Sequence, residues 1–238
     1  MAQDNLRRAQ DAALVSRSKQ RLTSGTRASG SPEGGGAGAY SRGMSELGSG
    51  GDVSSGGGVV HVALLRGINV GGRRKLPMAE LGAIFADAGA TGVRTNIQSG
   101  NVVFTAPACE AERISAAVSE GVAARFGFRP PVVTRTGEEW ARVVGANPFL
   151  GADPDIGALH VAFLASGPEA ERVARIDPDR SPGDACAVRG REVYLHLPSG
   201  VARTKLGSAY LDSTLGTVTT MRNWRTVLAV LEMVRAGP

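Results

Sequence analysis

The sequence predicts an α+β protein made of two ferredoxin-like βαββαβ lobes, which arose by internal duplication and follow a disordered tail. The main observation is a set of repeated segments in conserved order: 61–65 reappears as 160–164, 100–104 as 191–195, and 140–143 as 224–227. Short apolar runs also alternate with segments of helical periodicity, which is the pattern of a mixed α+β fold. One duplicated unit explains both observations.

The first half contains four strands and two helices in βαββαβ order, followed by a third helix. Predicted strands cover 59–66, 93–97, 102–105 and 132–134, and predicted helices cover 77–88, 110–126 and 138–145. In the first helix Met78, Leu81 and Ile84 recur at helical spacing, and Gly89 ends the pattern. The order is the ferredoxin-like one, and it predicts a first lobe over 59–150.

The second half repeats this order and predicts a second lobe over 151–238. Its strands are expected at 159–164, 185–188, 192–197 and 217–219, and its helices at 169–176, 204–215 and 223–234. Trp140 and Trp224 are expected to be equivalent core positions. The three histidines, His61, His160 and His196, all lie in predicted strands without a neighbouring ligand, so no metal site and no cofactor is expected.

Residues 1–58 are rich in Gly and Ser and are predicted to be disordered, because they offer too little apolar surface to offset the entropy of ordering. They lack the apolar core of a secretory signal. An alternative is that translation begins at Met44. The net charge of the chain is +5, of which residues 59–238 contribute +3, so charge alone does not indicate a nucleic-acid binder. No apolar run approaches a membrane span, and Cys109 and Cys186 favour a reducing, cytoplasmic setting.

Five motifs form a recognisable series: 64–72 (LLRGINVGG), 97–104 (IQSGNVVF), 147–149 (NPF), 194–200 (YLHLPSG) and 222–224 (RNW). Over residues 59–236 the chain resembles the bacterial domain-of-unknown-function family 1697. The resemblance implies a soluble bacterial protein built from ferredoxin-like repeats, and it implies no reaction. Asn96 stands where members usually have an aromatic residue, and Thr204 where they usually have Ser.

Cations gather at three predicted helix starts, where the helix dipole favours acidic residues. Arg73–Lys75 precedes the first helix, Arg203–Lys205 opens the helix at 204, and Arg222 and Arg225 begin the last helix, with Thr220 as the expected N-cap. An anion bound at such positions would offset the electrostatic cost. Two alternatives stay open: the side chains extend into water, or Arg222 pairs with an acidic residue of the other lobe.

The leading hypothesis is a binding module for an anionic, phosphate-containing ligand, a nucleotide or nucleic acid. The glycine-rich loop 67–72 lacks the ending of a P-loop, and turn chemistry alone could explain 98–101. The predicted ligand-binding residues are Arg66, Gly67, Asn69, Gly71, Gly72, Arg73, Lys75, Gln98, Ser99, Asn101, Arg203, Thr204, Lys205, Arg222 and Asn223. Alternatives are an enzyme acting on a phosphorylated small molecule, with Lys205 as a candidate nucleophile or proton donor, and a protein-interaction scaffold. Neither catalytic residues nor an oligomeric state are predicted.

Overall fold

The computed structural model describes residues 58–151 and 154–237 and contains two four-stranded antiparallel sheets. Apart from Gly58, the predicted disordered tail lies outside the described residues, as does the alternative start at Met44. Within the described ranges, no helix has the length and hydrophobicity needed to span a bilayer.

The first sheet has the strand order β2-β3-β1-β4, with β1 and β3 in its centre. Its strands are β1 (Val59–Leu65), β2 (Thr91–Asn96), β3 (Asn101–Ala106) and β4 (Val132–Thr136), and its helices are α1 (Met78–Asp87), α2 (Ala111–Phe126) and α3 (Gly137–Gly145). A short 3-10 turn, Ala108–Glu110, precedes α2. This is the strand order of a ferredoxin-like sheet.

The second sheet has the corresponding order β6-β7-β5-β8. Its strands are β5 (Leu159–Leu164), β6 (Ala185–Arg189), β7 (Glu192–His196) and β8 (Thr219–Asn223), and its helices are α4 (Ala170–Val173), α5 (Ser208–Leu215) and α6 (Trp224–Arg235). The predicted α+β class with two similar ferredoxin-like lobes is confirmed. The exact domain boundary at 150/151 stays a prediction.

Strand register defines which residues of the two lobes are equivalent. His61 lies opposite Phe104 on β3, and His160 lies opposite Leu195 on β7. Counting along these strands makes Asn101 the counterpart of Glu192. The echo of 100–104 in 191–195 therefore reflects structural equivalence.

The same register shows that the predicted equivalence of Trp140 and Trp224 is wrong. His61 lies opposite Thr136 and His160 opposite Asn223, and each of these partners is a helix N-cap. Counting from the caps, Trp140 is the fourth residue of α3, whereas Trp224 is the first residue of α6. Both indoles are fully buried, so they serve the same core from positions one helical turn apart.

Three element boundaries differ from the predictions for identifiable reasons. Helix α5 begins at Ser208 instead of 204, because the Thr204 hydroxyl accepts from Leu206 N (3.0 Å) in a turn that precedes the helix. Strand β8 runs to Asn223, since Arg222 still pairs with β5. The N-cap of α6 is therefore Asn223, whose side chain accepts from Thr226 N (2.8 Å), and not Thr220.

Alternating strand residues divide the core into three apolar clusters. One face of each sheet packs against the helices of its own lobe, around Phe104 in lobe 1 and Leu195 in lobe 2. The opposite faces share one central cluster with α3 and α6. Within it the Trp140 ring stacks on Phe163 of the other lobe with centroids 4.7 Å apart, and its indole N–H donates to Val227 O. The two lobes thus share a hydrophobic core.

Two arginines at equivalent positions, Arg135 on β4 and Arg222 on β8, cross the junction in opposite directions. Arg135 donates to Leu164 O (2.8 Å) and Arg191 O (2.9 Å) of lobe 2, and its Nε pairs with the Glu192 carboxylate (2.7 Å). The Arg135 side chain is only 2% exposed. Its guanidinium therefore joins the first lobe to the ends of two strands in the second.

Arg222 makes the reciprocal contacts with lobe 1. It donates to Leu65 O (2.9 Å) at the end of β1, to Ser99 O (3.2 Å), and to the Asn101 side-chain oxygen. Leu65 and Asn101 are the counterparts of Leu164 and Glu192, so the junction obeys the same twofold relation as the strands. The contacts differ in charge, because a carboxylate faces Arg135 and a neutral amide faces Arg222.

Two histidines at equivalent positions are enclosed by the fold. His61 stacks on Phe104 with ring centroids 5.3 Å apart, and His160 Nδ1 lies 3.2 Å from Ala158 O. Burial lowers the pKa of both imidazoles below the ordinary value of 6.5. Burial therefore favours the neutral form of both imidazoles in the folded state.

Replacing Arg135 with Met should lower the free energy of unfolding by about 3–5 kcal/mol, because the Glu192 carboxylate, only 14% exposed, loses its partner. Urea denaturation measures the change. The matched control is Arg142→Met, which removes an exposed pair with Glu138 and should change stability by less than about 1 kcal/mol. Equal effects of the two substitutions would contradict the role assigned to Arg135.

Stability should fall as the pH drops from about 7.5 to about 5, because the folded-state pKa values of His61 and His160 lie below the unfolded value. The unfolded chain then binds more protons, so the contribution is present above pH 6.5 and is lost below it. Urea melts across this window test the expectation. The H61F/H160F variant should flatten the pH dependence, and an unchanged slope would refute it.

Candidate functional site

The segment after β1 and the hairpin between β2 and β3 lie side by side; residues 66–76 and 97–101 are hereafter the motif loops. The Asn69 amide connects them, because its Nδ2 donates to Gln98 O (2.8 Å) and to Leu76 O (3.0 Å). Its Oδ1 accepts from Leu76 N (2.8 Å). The side-chain amide of the predicted site residue Asn69 therefore holds the two loops together.

Backbone strain is concentrated in the motif loops. The non-glycine residues with positive φ in the part of the chain described here are Asn69 (54°), Arg74 (51°) and Ile97 (53°), and all lie in these loops. A β-branched residue such as Ile97 is a clear outlier in this region. Its side chain is nevertheless 63% exposed, so no core packing explains the conformation. Conformations of this kind cost of order 1–3 kcal/mol each and cluster at functional sites.

The glycines of the motif loops serve two different purposes. Gly100 has φ 70°, and a Cβ there would come within 2.9 Å of Leu65 and Ile68, so close packing requires glycine. Gly71 and Gly72 also have positive φ, but a Cβ on either would meet nothing within 4 Å. Their backbone faces open space and is accessible to a ligand.

Three consecutive cations, Arg73, Arg74 and Lys75, follow this open backbone. All three are exposed, and no described carboxylate lies within ion-pair distance of them. Arg74 lies over the Phe128 ring, with its guanidinium carbon 5.8 Å from the ring centroid. Arg66 differs, because it forms an ion pair with Asp212 of α5.

The predicted site residue Arg222 extends from lobe 2 and forms hydrogen bonds with residues at the motif loops. Besides Leu65 O, Ser99 O and the Asn101 amide, its Nη1 donates to Thr220 Oγ1 (2.7 Å) and Met221 O (2.8 Å). A guanidinium has five N–H groups, so every donor of Arg222 is satisfied by the protein. A direct hydrogen bond to a ligand would require one of these bonds to break.

Every acceptor of Arg222 is neutral, so the alternative in which Arg222 pairs with an acidic residue of the other lobe is wrong. Burial lowers the pKa of Arg222 to about 10. The guanidinium remains charged near neutral pH, and its positive charge is not cancelled by a hydrogen-bonded carboxylate. It therefore adds a positive field beneath the hairpin.

The remaining predicted residues divide between exposed and structural positions. Gln98 and Ser99 are exposed at the hairpin tip. Asn101 is buried and donates to Ser99 Oγ (2.8 Å) and Asn96 O (3.3 Å). Asn223 caps α6 with its side-chain oxygen. Among these residues only the Gln98 side chain makes no hydrogen bond to another described residue, while the Ser99 hydroxyl accepts from Asn101 and can still donate.

Residues 203–205 belong to a separate set of contacts in lobe 2. Lys205 N donates to Ser181 Oγ (3.1 Å), and Arg180 Nε donates to Lys205 O (3.0 Å). Arg203 and Lys205 are exposed. No hydrogen bond or ion pair between described residues joins this segment to the motif loops. The contacts bring Arg66–Lys75, Gln98–Asn101 and Arg222 together, and do not bring Arg203–Lys205 to them.

Sequence reasoning missed two features of this site. Asp212 neutralises Arg66 across the lobe junction, and no local pattern links residues so far apart. Arg74 is a further exposed cation of this site, and its position inside the basic run 73–75 is the sequence signal that identifies it. No group of three His, Cys, Asp or Glu side chains suitable for a metal ion occurs among residues 58–151 and 154–237.

Comparisons with known proteins are consistent with this fold and leave the activity open. No curated protein matches the chain. A solved structure described as conserved bacterial protein SP0830 from Streptococcus pneumoniae is 20% identical, with a TM-score of 0.59 over 75% of this chain and 99% of that chain. At this identity the likeness shows the fold alone. The model of the family described as "Protein of unknown function (DUF1697)" matches residues 59–194, more than half of the chain, and the protein therefore belongs to that family.

Proposed function

We propose that the protein is a binding module for an anionic, phosphate-containing ligand, a nucleotide or nucleic acid, which binds at the motif loops. One observation carries the proposal: Arg73, Arg74 and Lys75 are exposed and lack described carboxylate partners beside the open backbone of Gly71 and Gly72. Exposed cations and unhindered backbone N–H groups are the donors that phosphate-binding loops use.

The charge of Arg222 supports the same proposal. Taking the Arg222 guanidinium out of water costs free energy. Its hydrogen-bond partners are neutral, so no opposite charge among them offsets this cost. An anion above the hairpin would interact favourably with this charge without replacing any hydrogen bond. Arg222 then contributes electrostatic attraction, while Arg73 and Lys75 make the direct contacts.

The strained backbone also supports a functional role for these loops. Asn69, Arg74 and Ile97 have left-handed backbone conformations. For Ile97, whose side chain is exposed, core packing does not explain this conformation. In the proposal Arg66, Asn69, Asn101 and Asn223 hold the loops in shape. Gln98 and the Ser99 hydroxyl, which accepts from Asn101 and keeps its O–H donor, would contact the polar edge of the ligand. Arg203, Thr204 and Lys205 form a separate basic segment whose part in binding is tested by substitution.

A second candidate function is a protein-interaction scaffold, in which the motif loops serve to dock the two lobes. The contacts of Arg222 with Leu65 and Ser99 favour it, because they use motif residues to close the junction. If the protein is such a scaffold, replacing the basic residues 73–75 should not change its affinity for anions. A cytoplasmic setting is part of both proposals and is supported by the free thiols of Cys109 and Cys186.

Binding of a fluorescent single-stranded RNA, measured by anisotropy at several salt concentrations, should weaken as salt rises. The R73S/K75S variant should bind more weakly, and its slope of log affinity against log salt should be smaller by about 1.4, since each lost phosphate contact removes about 0.7. ATP serves as the nucleotide ligand in a parallel titration.

The control variant R113S/R129S removes the same charge from two exposed arginines that already have glutamate partners. It should behave as the unmodified protein. A flat salt response would eliminate nucleic acid as the ligand, and equal affinities of the two double variants for both RNA and ATP would reject the motif loops as the site. Adding K205S to either variant shows whether the 203–205 segment takes part.

A further inference from the structure

A second basic site lies at the opposite end of the lobe junction from the motif loops. Here the β6–β7 hairpin of lobe 2 meets helix α3 of lobe 1 around a cleft of about 280 Å³. Its charged lining consists of Arg135, Glu139, Arg142, Arg189, Arg191 and Glu192, four arginines against two glutamates. This volume is just below the usual range for small-molecule sites, which begins at about 300 Å³. We call it the arginine cleft.

The cleft arginines are anchored and still have donors to offer. Arg189 Nη1 donates to Ala146 O (2.9 Å), and Arg191 Nη2 donates to the Glu139 carboxylate (2.6 Å). Arg142 Nη1 pairs with Glu138 on the helix surface. Each of these guanidinium groups keeps its Nε and one amino group without a recorded acceptor among the described residues. Anchored guanidinium groups lose less entropy when they bind an anion.

The duplication shows that the fold itself does not require these charges. Strand and helix registers place the counterpart of Glu192 at Asn101 and the counterpart of Arg191 at Gly100. Counting from the N-caps of α3 and α6 places the other counterparts: Glu139 corresponds to Thr226 and Arg142 to Ala229. Only Arg135 has a charged counterpart, Arg222. Arg189 lies opposite Glu192 as Asn96 lies opposite Asn101, so its counterpart is also uncharged. The other half folds in the same way without five of the six charges, so packing does not explain them.

An apolar wall completes the arginine cleft. Val143, Ala146 and Tyr194 line it beside the arginines. Of these, Tyr194 and Val143 are almost fully buried, at 1% and 3% exposed, and only Ala146 is partly exposed. Together with the aliphatic stems of the surrounding arginines, Ala146 gives a ligand a small apolar surface next to its anionic group.

We propose that the arginine cleft binds a small organic anion, a phosphate monoester or carboxylate with an apolar portion, independently of the motif loops. Arg189, Arg191 and Arg142 would contact the anionic group. Arg135, whose contacts are within the junction, would supply positive charge at the base. Ala146 and the aliphatic stems of Arg142 and Arg189 would face the apolar portion.

Phenyl phosphate and benzoate are the probes that test the proposal, with phenol as the neutral analogue. They are titrated into the full-length protein while backbone amide shifts are followed by NMR and affinity by calorimetry. At least one of the two anions should bind saturably and shift the amides of Arg189–Glu192, whereas phenol should not. The better probe identifies whether the site prefers phosphate or carboxylate.

Arg189→Gln should weaken binding of that probe by about tenfold, because it removes a charge-assisted hydrogen bond. Arg113→Gln, an exposed arginine outside the cleft, should leave the affinity unchanged. Arg142→Gln is a second test of the cleft. Within the protein this substitution removes only an exposed ion pair with Glu138, so it should not disturb folding. The proposal is overturned if neither anion shifts the 189–192 amides, if both cleft variants bind as well as the unmodified protein, or if the shifts fall only in the motif loops. The last result would leave the proposed function intact.

Discussion

The relative placement of the two lobes depends on two arginines, Arg135 and Arg222, each of which extends from its own lobe and forms hydrogen bonds with the other. Each guanidinium leaves the edge strand of one lobe and satisfies carbonyl groups at the ends of strands in the other. Removing a guanidinium from water is expensive, and only a nearly complete set of hydrogen bonds offsets it. Because those bonds are directional, they fix register where the shared apolar core alone would permit sliding.

The two ends of this junction have diverged in charge, and the divergence bears on function. At one end Glu192 balances Arg135, yet further arginines have gathered around the pair in a cleft. At the other end Asn101 leaves Arg222 without a carboxylate partner, and an exposed basic run follows β1. Each end thus has excess positive charge, but one has it in side chains around a cavity and the other on exposed loops. Ligands of different size and shape would suit the two.

Local patterns predicted most elements, because strand alternation and helical periodicity are properties of neighbouring residues. The repeated His61 and His160 strands led to the correct architecture for the same reason. The side-chain roles of Arg222 and the partner of Arg66 could not be predicted, since they depend on groups more than a hundred residues away. The predicted equivalence of Trp140 and Trp224 is wrong because similarity between two short sequences does not reveal that one tryptophan lies a helical turn further along its helix.

Hydrogen bonds from the lobe junction hold the strained motif loops in place. Leu65 O, just before the first loop, and Ser99 O, within the second, both accept from Arg222, while Asn69 joins one loop to the other. Left-handed conformations at Asn69 and Ile97 can persist when surrounding contacts leave the chain no alternative. A loop held in this way is already shaped before any ligand arrives. Binding at the motif loops then avoids most of the entropy of ordering them, and even a shallow, exposed surface can bind selectively.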